Sequence, residues 1–149
     1  MTPEIEKFFN VVDNVVALNI AHQLKFEDHK RYMANAHWLE EFCTVDINVG
    51  RQSGKSLYIN KRATPVDLVV CMNEDYKRGV FKECRNVLTV SEIAADSFNR
   101  GVRFSDIKHY NKIYVDEPFA VFSRFKRYDF YYKFAGLANQ IIMLGTPVR

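Results

Sequence analysis

Cysteine is scarce in this chain of 149 residues, with three widely spaced thiols at Cys43, Cys71 and Cys84 and no Cys-x-x-Cys pair. That spacing gives neither a disulfide framework nor a thiolate zinc site. Cys43 and Cys71 fall in apolar strand-like runs, which suits buried thiols of a reducing compartment, taken here as cytoplasm. The four histidines, His22, His29, His37 and His109, show no metal-ligand spacing. No apolar run approaches the roughly 20 residues that cross a bilayer, so no membrane is expected. The acidic start, Met1-Thr2-Pro3-Glu4-Ile5-Glu6, lacks the basic segment of a secretory signal. Repeats, low-complexity tracts and linkers are absent too. A net charge of +3 is too small to mark a polyanion-binding protein by itself.

What the chain does have is apolar content, 48%, enough for a buried core in one domain. The expected organisation is a helical part over 1–42 and a core over 43–149. Thr2-Pro3 reads as a helix N-cap followed by proline at the first helical position. Ile5, Phe8, Phe9, Val12, Val15, Val16 and Ile20 recur at helical spacing, predicting a helix over 3–24. A second helix is expected over 27–41, with Tyr32, Met33, Ala36 and Leu39 inward. Cys43–Val49 alternates and is β-branched, as a strand does. Val66–Met72 is nearly continuously apolar, which suits a strand buried on both faces of a parallel sheet. Further helices are expected over 54–63, 74–84 and 124–138, and a short helix or turn over 91–99. Further strands are expected over 87–90, 112–116 and 140–144. Strands alternating with helices argue for a layered α/β sheet.

Three stretches carry chemistry. Gly50-Arg51-Gln52-Ser53-Gly54-Lys55-Ser56 follows the first strand and precedes a helix. Backbone N–H groups of such a loop, with the positive end of the helix, bind phosphate oxygens. Lys55 would reach the β- and γ-phosphates, and Ser56 would place its hydroxyl on Mg²⁺. The glycine sits one residue later than in the strict phosphate-loop pattern, and the plain alternative is a Gly-Ser loop with a solvated lysine. Ile113-Tyr114-Val115-Asp116-Glu117 ends an apolar strand in two acids, at the edge where open α/β sheets bind ligands. Asp116 would hold Mg²⁺ and Glu117 would polarise an attacking water. The plain alternative is an exposed turn closed by Pro118. Gln140–Leu144 is an apolar strand ending in Gly145-Thr146-Pro147, whose hydroxyl could sense a γ-phosphate.

In this order the three stretches resemble the ATPase domain of the large terminase subunit, the DNA-packaging motor of tailed phages and herpesviruses, related to superfamily 2 helicases. That family often has a shortened phosphate loop with Arg-Gln inside, as at 50–56. Its acidic strand often reads like 113–117 with Phe119-Ala120 soon after. Its coupling motif is a strand ending like Gly145-Thr146-Pro147. The resemblance covers about 27–149. It implies a three-layer parallel-sheet P-loop NTPase of the ASCE type (additional strand, catalytic glutamate), with N-terminal helices, that binds ATP and Mg²⁺. It further implies catalytic roles for Lys55, Glu117 and Arg51, the last as an arginine contacting the γ-phosphate, and a coupling role for Thr146. The family also uses a glutamine upstream of the loop to recognise adenine, for which Gln23 is the candidate. The nuclease domain and further strands of a full motor are missing after Arg149. The expectation is therefore a minimal terminase-like ATPase in a host-cell cytoplasm, open to self-assembly and acting with double-stranded DNA or a phage packaging protein. The alternative is a scaffold that hydrolyses little or nothing and regulates a host or phage protein.

Residues 124–133 concentrate charge. Arg124, Lys126, Arg127 and Lys133 interleave with Phe125, Tyr128, Phe130, Tyr131 and Tyr132. They could contact a nucleic-acid backbone and stack bases, or form an amphipathic helix with a solvated basic face. Arg103 and Lys108 are candidates for a partner surface or an arginine finger in trans, Trp38 for helix packing and Asp13 for an exposed helix face.

Overall fold

The computed structural model describes residues 1–50, 53–98 and 109–147. Helix α1 runs Pro3–Lys25, and the Thr2 hydroxyl accepts the Ile5 N–H at 3.2 Å. Proline at the first position costs no hydrogen bond, because that N–H has no partner within a helix. The second predicted helix is two pieces: a 3₁₀ turn over Glu27–Tyr32 and α2 over Asn35–Phe42. Met33 and Ala34 between them are extended. Tyr32, expected inward, is 81% exposed. The break lets α2 fold back. Trp38 stacks on Phe42 with centroids 4.7 Å apart, and Phe42 meets Phe26, His22 and His29 at the end of α1.

The chain then alternates: β1 (Thr44–Asn48), α3 (Lys55–Arg62), β2 (Leu68–Cys71), a π-helical turn (Tyr76–Val80), β3 (Val87–Thr89), α4 (Val90–Phe98), β4 (Tyr110–Asp116), α5 (Pro118–Phe122), α6 (Arg127–Phe134) and β5 (Ala138–Gly145). Two predicted helices change form. The one expected over 74–84 is the five-residue π turn, entered where the Asn73 side chain accepts the Tyr76 N–H at 3.0 Å. The one expected over 124–138 is shorter, α6 alone from Arg127 to Phe134, with a separate short helix α5 ahead of it. Phe122 and Phe125 both reach the core across this junction, and Lys126 is extended.

The five strands form one parallel sheet in the order β1-β5-β4-β2-β3. Their alternate residues feed two cores. Leu68, Val70, Ile113, Val115, Ile141 and Met143 pack with α2, α4, α5 and α6 on one side. Val69, Cys71, Tyr114, Ile142 and Leu144 pack with α1, α3 and Phe81 on the other. Helices thus cover both faces, compatible with a three-layer parallel fold. All four residues of β2 are buried, which accounts for its unbroken apolar run. Burial also raises the Cys43 and Cys71 thiols to about 11, so both stay neutral. Among the described residues no helix is long and apolar enough to cross a membrane. Because every strand points the same way, all carboxyl ends meet at one edge.

Candidate functional site

At that edge the end of β1 leads into the glycine loop. Val49 donates its N–H to the Gly145 carbonyl at the tip of β5, 2.9 Å away, which fixes where the loop starts. Gly54 closes the loop with φ +95°, in the left-handed region that glycine adopts without steric cost. A Cβ there would also lie 3.2 Å from the Ile5 side chain of α1. Helix α3 begins at Lys55 with no side-chain cap. Among the described residues no side chain caps the N–H groups of its first turn, and they carry the positive end of its dipole.

Three features make this loop unlike a solvated turn. Lys55 is 7% exposed, and its ammonium donates to the Gly50 carbonyl at 3.2 Å. The Ser53 hydroxyl is buried without a hydrogen-bond partner. The Ser56 hydroxyl lies near the Asp116 carboxyl and favours its charged form. Arg51 and Gln52 lie outside the described residues, as do Arg103 and Lys108.

The acidic pair stands opposite. Asp116 is 2% exposed. Burial, and next the Glu117 charge, push its carboxyl up to about 7, against the opposing pull of Lys55 and the nearby Ser56 hydroxyl. Glu117 has φ 52°, ψ 69°, a left-handed conformation that for a non-glycine residue costs on the order of 1–3 kcal/mol. Main-chain bonds hold it there. Its N–H donates to Leu144 O at 3.0 Å, and its carbonyl accepts Ala120 and Val121 N–H from α5. Its carboxylate lies 3.6 Å from the Lys55 ammonium and accepts the Thr146 hydroxyl at 2.9 Å. Gly145 is the point of closest approach: a Cβ would sit 2.7 Å from Asn48 Oδ1 and 3.1 Å from Pro118 Cδ. A side chain at Gly145 would displace the Asn48 side chain and press on Pro118 at the start of α5.

Lys55, Ser53, Ser56, Glu117 and Thr146 line one cleft of about 1240 Å³, and the buried Asp116 directly precedes the lining Glu117. The structure therefore brings together the described members of the three predicted stretches. Met72, Tyr76 and Phe119 also line the cleft. No sequence signal marked Met72 or Tyr76, since neither belongs to a motif. Among the described residues no group of three or more His, Cys, Asp or Glu side chains could hold a metal. One carboxylate with a hydroxyl suits Mg²⁺, which usually takes one or two carboxylates and completes its shell with substrate phosphates and water.

Other candidates fall elsewhere. The Gln23 amide donates to Asn19, whose side chain accepts from Gln140 near the start of β5. That is the opposite edge of the sheet, so Gln23 does not reach the cleft. Asp13 is not an idle surface residue. It accepts the Tyr58 hydroxyl at 2.7 Å and both Nε and Nη2 of Arg62, tying α1 to α3. The sequence held a clue here: an acid inside an apolar stripe needs partners. Of the 124–133 cations, Arg127 lies 3.7 Å from Asp46 with its guanidinium 4.8 Å over Phe122. Phe130, Tyr131 and Phe134 are core, whereas Tyr128 and Tyr132 are exposed.

Compared with protein-family models, with curated proteins and with solved structures, the chain matches none of them.

Proposed function

We propose that this chain binds and hydrolyses ATP with Mg²⁺, as a minimal terminase-like ATPase. The observation that supports this most is a buried lysine facing two acids across one cleft, with the buried, unpartnered Ser53 hydroxyl beside it. A buried charge and an unsatisfied buried hydroxyl are both costly. A phosphate group at the loop would satisfy the hydroxyl, the lysine and the uncapped N–H groups of α3 together. The position of β5, between the loop strand β1 and the acidic strand β4, also fits the additional-strand class of P-loop NTPases.

The division of labour follows from position. Backbone N–H groups of 53–57 would hold phosphate oxygens, and Lys55 would neutralise charge developing on the transferred phosphoryl group. Ser56 and Asp116 would hold the Mg²⁺, which neutralises phosphate charge when bound. Glu117, at the strained start of α5, would orient and polarise a water. Thr146 steadies the Glu117 carboxylate and links it to the tip of β5. A scaffold that hydrolyses nothing is the competing reading. ATP turnover of the wild type beside Lys55→Ala and Glu117→Gln separates the two. Each substitution is expected to lower turnover by about 10²-fold or more. Equal rates in all three proteins would end the enzyme reading, and absent ATP binding by calorimetry would favour the scaffold.

A further inference from the structure

The aromatic residues of 124–133 divide sharply. Phe130, Tyr131 and Phe134 bury one side of α6, and the Tyr131 hydroxyl is 2.9 Å from Thr44 Oγ1 of β1. Tyr128 and Tyr132 project from the other side, 72% and 71% exposed. They lie one helical turn apart with rings inclined by 19° and centroids separated by 6.4 Å. Bases stacked in a strand are spaced by about 3.4 Å, so a base between the rings needs about two such steps, slightly more than the present centroid separation, which rotation of these exposed side chains can supply. The surroundings are cationic. Arg124 and Lys126, just ahead of the pair, are exposed and have no ion-pair partner among the described residues. Arg127 stays about half exposed beside Asp46. Lys133 follows Tyr132, and Asp129 is the one carboxylate in 124–133.

We infer that this face of α6 binds single-stranded nucleic acid, with a base held between Tyr128 and Tyr132 and the flanking phosphates against Arg124 and Lys126. The rings offer faces, and faces recognise other flat faces by stacking, irrespective of base identity. A duplex presents only base edges in its grooves, so its bases cannot enter this gap. The buried side of α6 holds the helix that carries both rings against the sheet. The binding needs neither ATP nor the cleft, so it stands or falls apart from the hydrolytic reading.

Fluorescence anisotropy with a labelled oligothymidylate, without nucleotide and at low salt, tests it. Binding is expected to weaken steeply as salt rises, because phosphate contacts release counterions. Tyr128→Ala/Tyr132→Ala is expected to weaken binding about 10-fold or more, and Tyr128→Phe/Tyr132→Phe to keep most of it, since stacking needs the ring and not the hydroxyl. Arg124→Glu/Lys126→Glu is expected to weaken binding and flatten the salt dependence. All four positions are exposed, so the variants retain the core. No binding at low salt, equal binding by the double-alanine variant, or tighter binding to a duplex of the same length would each overturn the inference.

Discussion

Two aspartates are buried at opposite edges of one sheet, and they live differently. Asp67, just ahead of β2, is 3% exposed; Asp116, at the end of β4, is 2% exposed. Asp67 accepts the Thr64 N–H and hydroxyl, both at 2.8 Å, and the Lys112 N–H at 3.0 Å, a shell that joins the entrance of β2 to β4. Asp116 has the Ser56 hydroxyl, a lysine close enough to act on its charge, and a second carboxylate next door that works against it. A structural carboxylate is one whose neighbours complete it. A carboxylate left incomplete, with burial holding its proton on to about 7, is what the proposed metal site would require.

Substitution should separate the two most clearly in catalysis. Asp116→Asn is expected to lower magnesium-dependent ATP turnover by about 10²-fold or more, since the amide is a poor ligand for a hard cation. Asp67→Asn, far from the cleft, should keep folded-protein turnover within a few-fold. Comparable losses in both would erase the distinction. In stability the order reverses. Asp67→Ala leaves two backbone donors and a hydroxyl unpaired and is expected to cost on the order of 3 kcal/mol by urea denaturation.

The pH dependence sharpens the contrast. Asp116 holds its proton more tightly folded than unfolded, so as pH rises from its ordinary 3.8 to about 7 the unfolded chain ionises this carboxyl while the folded protein still holds the proton. Stability from this group therefore falls through that window and is flat above it. Relative to wild type, Asp116→Asn should gain a few kcal/mol at most between pH 4 and pH 8. A constant difference across that range would show that the carboxyl is not shifted. Smallest is the half-exposed Arg62 pair with Asp13, which holds that carboxyl below its usual range. Arg62→Ala should cost about 1 kcal/mol, mostly lost packing over Phe9 and Tyr58.

Much of the scaffold was legible because its causes are local. Thr2-Pro3 caps α1, the apolar run at 66–72 becomes β2, and the acids at 116–117 end β4. The breaks were not legible. Residues 27–32 are polar enough for an exposed helix, yet the ring cluster around Phe42 turns the chain after Tyr32. The junction between α5 and α6 depends on Phe122 and Phe125 both reaching the core, a demand from across the fold. The site divided likewise. Its charged groups stood in motifs, but the burial of Lys55 and Ser53 and the twist of Glu117 come from neighbours far along the chain. Tyr76 and Met72 meet them only through folding.

The tip of β5 is hydrogen-bonded on both sides, from Val49 at the root of the loop and from Glu117 at the end of β4. Strands in a sheet stand about 4.8 Å apart, so β1 and β4 are held roughly 10 Å apart with β5 as the spacer. The interval between the phosphate-facing half and the acidic half is thus a main-chain dimension, a gauge block that side-chain drift in β5 cannot alter. What can disturb it is thickness at one point. A methyl group at Gly145 would push on Pro118 and the Asn48 side chain and shift the start of α5 against the tip of β5 without touching any charged group.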